Sequence, residues 1–105
     1  MYWNYRVIKL LKKTGDISFD IREVYYEDDI PTSVTTNSCY PYSYLDRRDE
    51  HGTEKATKLE FLMDMRNYLA SLKKPVLVFD EDLDKFTGDE CSLEYEFDYG
   101  DLFGV

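Results

Sequence analysis

The sequence predicts an α+β fold: a small antiparallel sheet built from an N-terminal β-hairpin plus later strands, with one amphipathic helix packed on one face. Three observations carry this. Two runs rich in aromatic and branched side chains, residues 2–11 and 17–26, flank the turn sequence Thr14-Gly15-Asp16. One long stretch, Glu54 to Leu72, repeats apolar side chains at helical spacing. The 105 residues are 43% hydrophobic and include Trp3, ten Tyr and six Phe. That is enough for one thin core, because a chain of this size buries only about 65% of its unfolded surface.

Along the first run, Tyr2, Trp3, Tyr5, Val7, Ile8, Leu10 and Leu11 suit a pleated surface, which predicts a strand over residues 2–11. After the turn, Ile17, Phe19 and Ile21 alternate with Ser18, Asp20 and Arg22, the period-two pattern of a half-buried strand. The alternation breaks at Glu23-Val24-Tyr25-Tyr26, where a bulge would re-aim the side chains, and Glu27-Asp28-Asp29 then turns the chain. A third strand is expected over Thr32 to Thr36, with Val34 inward. Residues 37–52 read as a long loop bearing Tyr40, Tyr42 and Tyr44 among Asn37, Ser38, Pro41, Ser43 and Gly52.

The helix is expected to bury Leu59, Leu62, Met65, Leu69 and Leu72, with Phe61 and Tyr68 widening the stripe. On this reading Leu62→Asp unfolds the domain. Lys73 and Lys74 suit the negative end of the helix, and Pro75 stops it. Pro75 to Phe79 reads as a short buried strand. The acidic stretch Asp80 to Glu90, with Gly88, reads as a loop; Leu93, Tyr95, Phe97 and Tyr99 alternate with Glu94, Glu96 and Asp98 as a last strand with one acidic face. The whole is expected to be a single domain, 1–105, with residues 80–105 as an acidic loop, strand and tail.

The formal net charge of −9 is unevenly placed: residues 1–77 carry 12 basic and 12 acidic side chains, residues 78–105 carry 1 and 10. An anionic end repels nucleic-acid phosphate and anionic lipid, which argues against direct nucleic-acid or membrane binding. It attracts basic protein surfaces, and it also serves plain solubility. The longest apolar stretch, Pro75 to Phe79, falls far short of the roughly 20 residues that span a bilayer, and Met1-Tyr2-Trp3-Asn4 is neither basic nor apolar. A cytoplasmic location is expected. Cys39 and Cys91, with no C-x-x-C spacing, are expected to be reduced thiols.

Sites for chemistry are few. His51 is the sole histidine, in a polar stretch, and no G-x-S-x-G elbow, glycine-rich phosphate loop or zinc spacing accompanies it. No cofactor or metal is expected. Asp80, Asp82 and Asp84 copy the start of a calcium loop, but Lys85 stands where that loop needs glycine and Cys91 where it needs a bidentate glutamate. Glu94, Glu96 and Asp98 on one strand face would be about 6.7 Å apart, close to two base steps along a DNA strand. That spacing suits phosphate mimicry, and it equally suits the charged face of an edge strand. Asp101-Leu102-Phe103 adds two apolar anchors after an acid.

The motifs Trp3-x-Tyr5-Arg6-Val7-Ile8, Glu23-Val24-Tyr25-Tyr26 and Leu72-x-Lys74-Pro75-Val76-Leu77, in that order, resemble a family of small uncharacterised bacterial proteins. The resemblance covers residues 3–77. It implies a hairpin followed by a helix and a bacterial or phage origin, and it implies no activity. The sequence therefore predicts a non-enzymatic protein-binding module that meets a basic partner surface through Glu94, Glu96, Asp98, Asp101, Leu102 and Phe103. An inhibitor from a phage or mobile element that mimics nucleic acid is one such module. The alternative is a housekeeping bacterial protein that binds its partner through Tyr40, Tyr42 and Tyr44. A hydrolase built on His51 is a third class.

Overall fold

The computed structural model describes residues 2–46, 48 and 50–93. Among these residues, five strands and one α-helix follow in the order β1 (Tyr2–Leu11), β2 (Ile17–Glu27), β3 (Ile30–Val34), α1 (Glu54–Ala70), β4 (Val76–Asp80) and β5 (Lys85–Glu90). They form one sheet in the order β3-β2-β1-β4-β5 with α1 packed on it, an α+β fold. Three of the four strand pairs are antiparallel and one, β1–β4, is parallel. The parallel pair follows from connectivity. Strands β1, β2 and β3 run up, down and up, and the helix carries the chain back down, so β4 starts where β1 starts.

Local chemistry fixes the turns. In Lys12–Asp16 the Lys12 N–H donates to Asp16 O and the Gly15 N–H to Lys12 O, both at 2.9 Å, with Gly15 at φ +92° where a side chain is strained. Asp28 and Asp29 both take positive φ, 51° and 63°, which gives a two-residue hairpin between β2 and β3 whose twist matches the strands. The bulge expected near Tyr25 and Tyr26 is found between them, in the β2–β3 pairing, while the β1–β2 ladder runs unbroken from Tyr2↔Tyr26 to Leu11↔Ile17. The third strand begins two residues earlier than its sequence pattern indicates.

The stretch Asp80 to Glu90 is not a loop. Asp80 Oδ1 accepts the N–H groups of Asp82 and Leu83 at 2.9 and 3.2 Å, closing a tight turn, and Lys85–Glu90 then pairs back along β4. The acid-rich composition hid this strand, whose inward anchor is Phe86, edge-on to Phe79 at 5.1 Å. A bulge between Val78 and Phe79 lies opposite Gly88, whose φ of +153° suits glycine. The strand expected over residues 93–99 lies outside the described residues apart from Leu93.

The sheet has two unlike faces. Even-numbered β1 residues share one face with Val24, Tyr26, Leu77 and Phe79, because opposed residues in a ladder point the same way. On this face Ile8, Val24, Tyr26 and Leu77 form the buried core, with Val34, Phe79 and Phe86 packed around it. The sheet curls over that cluster until its two edge strands, β3 and β5, come within 8 Å between Cα atoms. Ile30, Pro31 and Phe86 line the seam between them.

Polar groups line both ends of the curl. At one end Tyr2 stacks on Tyr26 at 4.7 Å, and the Tyr26 hydroxyl donates to Asn4 Oδ1 while accepting from Arg6, at 2.8 and 2.9 Å. At the other, Arg22 donates twice to Asp20, 2.9 Å each, and to the carbonyls of Thr35 and Thr36 at 3.1 and 2.8 Å. Arg22 therefore ties the chain leaving β3 to the strand beside it. Arg22→Met is expected to destabilise the domain by about 2 to 3 kcal/mol, since it strands a half-buried carboxylate and two carbonyls. Chemical denaturation checks this, with Arg22→Lys recovering only part of the loss.

The opposite, convex face carries Tyr5 and Val7, both buried, and receives α1. Thr53 caps the helix by accepting the Ala56 N–H at 3.0 Å, and a 3₁₀ turn, Ser71–Lys73, follows it. Lys74 then adopts the extended conformation that a residue before proline requires. The expected buried stripe is corrected here. The row turned to the sheet is Thr57, Phe61, Asp64, Met65, Tyr68 and Leu72, all half-buried, whereas Leu59, Leu62 and Leu69 are exposed at 57%, 57% and 53%. Leu62 is therefore no core residue. No helix among the described residues is long and apolar enough to cross a membrane.

Candidate functional site

The most exposed aromatic group in the described structure is the segment between β3 and α1. Its residues alternate in exposure one by one: Cys39, Pro41, Ser43 and Leu45 are half-buried, while Tyr40, Tyr42 and Tyr44 are 71%, 69% and 67% exposed. Alternation of this kind places successive tyrosines on one side, about 7 Å apart in extended chain. The first part of the segment is fixed to β2. The Thr35 and Cys39 N–H groups donate to the Glu23 and Ile21 carbonyls of β2, at 3.1 and 2.8 Å, and the Cys39 thiol meets the Thr35 hydroxyl at 3.3 Å. Farther on, Ser43 and Leu45 share a shallow apolar cleft of about 250 Å³ with Phe61 and the first turns of α1.

The helix that supports this segment is held by one polar contact and one aromatic cluster. The Tyr5 hydroxyl donates to the Asp64 carboxylate, whose oxygens lie at 2.9 and 3.0 Å. Tyr5 is also edge-on to Tyr68 and to Trp3, each at 5.3 Å. Burial first, and then the hydrogen bond to Asp64, push Tyr5 ionisation well above the ordinary tyrosine value; burial also raises that of Tyr68. These are neutral, structural tyrosines. Tyr40, Tyr42 and Tyr44 are instead about two-thirds exposed to solvent.

The other expected site residues fall elsewhere. Glu94, Glu96, Asp98, Asp101, Leu102 and Phe103 lie outside the described residues. His51 sits in an exposed turn before α1. Cys39 and Cys91 are free thiols. Among the described residues no group of three or more metal-ligating side chains converges, and Asp80 spends a carboxylate oxygen on its own turn. The sequence reading missed a second exposed feature, the outward row of α1 formed by Leu59, Leu62, Met63 and Leu69. Its signal was present, because the helix carries two apolar rows and only one can meet a sheet.

A scan against protein-family models finds no match, and neither a search of curated proteins nor one of solved structures finds any. The functional reading therefore rests on the chain's own geometry.

Proposed function

We propose that this protein is a non-enzymatic protein-binding module that recognises a basic protein surface through Tyr40, Tyr42 and Tyr44. The observation that carries the reading is the alternation: three tyrosines are exposed while the residues between them are half-buried, Cys39 bonded to β2 and Ser43 and Leu45 lining a cleft beside α1. A ring held outward by its backbone loses little freedom on binding, so its contact area converts efficiently into affinity. Tyrosine faces attract Arg and Lys side chains, and the surplus of carboxylates in residues 78–105 draws the same partner in at longer range. Mimicry of nucleic acid by Glu94, Glu96 and Asp98 is the form this takes if the partner's basic surface is a nucleic-acid groove.

The test is a quantitative pull-down from cell lysate with the full chain and with the Tyr40→Ser, Tyr42→Ser, Tyr44→Ser variant. Because the three side chains are exposed, the variant is expected to keep its thermal midpoint within a few degrees. Loss of three anchors at about 1 to 2 kcal/mol each is expected to remove the wild-type partner from the captured set. A variant that is folded and retains every wild-type partner contradicts the proposal.

A further inference from the structure

The outward face of α1 is more than an apolar remnant. At 100° per residue, Leu59, Leu62, Met63 and Leu69 fall within an arc of about 140° on the helix surface, and all four are more than half exposed. The same arc holds Lys55, Lys58 and Arg66, also exposed, and none of the helix's acids, Glu54, Glu60 and Asp64. None of the three cations has an ion-pair partner among the described residues. A surface that joins an apolar row to unpaired cations, with anions segregated to other sides, is complementary to a segment that joins apolar anchors to carboxylates.

The chain itself contains such a segment. Residues 94–103 hold Glu94, Glu96, Asp98 and Asp101 interleaved with Tyr95, Phe97, Tyr99, Leu102 and Phe103. Its starting point is set by β5, where Glu90 lies opposite Val76, three residues beyond the 3₁₀ turn that ends the helix. Ten residues extend to about 33 Å, against about 25 Å for a helix of 17 residues. Tethering supplies an effective concentration near millimolar, which favours this segment over a free competitor of equal intrinsic affinity. We propose that the outer face of α1 is the docking surface for the chain's own residues 94–103. The helix then competes with a basic partner for the same carboxylates. This inference does not depend on the tyrosine segment.

The experiment places a nitroxide at residue 100 of the full chain (Gly100→Cys with Cys39→Ser and Cys91→Ser) and records the methyl signals of Leu59, Leu62, Met63 and Leu69 by NMR. The expected result is strong broadening of these methyls, with those of the Ile8 and Val24 core, on the far face of the sheet, broadened distinctly less. Adding Lys55→Glu, Lys58→Glu and Arg66→Glu, all exposed, is expected to restore the signals. Unbroadened outer-row methyls in the labelled chain overturn the proposal. So does broadening that transfers fully to an isotope-labelled, spin-free copy mixed with a spin-labelled one, which would make the occupant a second molecule.

Discussion

Ile8→Ala is expected to lower unfolding stability by about 3 kcal/mol, at the centre of the range for truncating a buried aliphatic side chain. Ile8 is fully buried on the concave face between Val24 and Leu77, so the lost methyl groups leave a cavity that the paired strands cannot collapse. For a domain stabilised by about 5 to 10 kcal/mol this is a large fraction. Leu62→Asp is expected to change stability by less than about 1 kcal/mol, because Leu62 is on the row turned away from the sheet. Urea denaturation of both variants checks the pair. The reverse ranking would put the core under the helix.

Tyr5→Ala is expected to cost about 3 to 4 kcal/mol. The ring is buried between Trp3 and Tyr68 on the convex face, and its hydroxyl is the polar link to Asp64. Tyr5→Phe keeps the ring and is expected to cost about 1 to 2 kcal/mol, the worth of a hydrogen bond to a charged group. The same contact gives a pH signature. Folding raises the Tyr5 ionisation point above its ordinary value of 10.0, so its contribution is complete below that value and is lost as pH climbs toward the folded value. Wild-type stability is expected to fall more steeply above pH 10 than that of Tyr5→Phe; identical alkaline slopes would contradict the assignment.

Much of the fold was legible because the early strands obey simple periods. Ile17, Phe19 and Ile21 alternate as strand residues do, although Ile17 and Phe19 are exposed and their polar neighbours Ser18, Asp20 and Arg22 are half-buried; Gly15 and Asp28-Asp29 mark turns, and Thr53 and Pro75 bracket the helix. The errors have physical causes. In β5 only Phe86 is a large apolar residue, and the strand exists because it continues the backbone ladder of β4, a tertiary reason that composition does not carry. In α1 the leucine row is the more hydrophobic, yet the sheet takes the Phe61–Met65–Tyr68 row, whose neighbour Asp64 can satisfy the Tyr5 hydroxyl. The tyrosine segment was legible from composition alone; that its start is tied to the sheet was not, since the ties are backbone bonds from Thr35 and Cys39 to β2.

The curled sheet holds the fold together, and α1 packs on it as a separable layer whose outer row is turned away from the sheet. Native-state amide exchange tests it most directly. The slowest exchange is expected in the ladders around Ile8, Leu10, Val24 and Leu77, with the amides of α1 opening at distinctly lower free energy and without them. Protection of the α1 amides equal to that of β1, lost in a single concerted step, would contradict it.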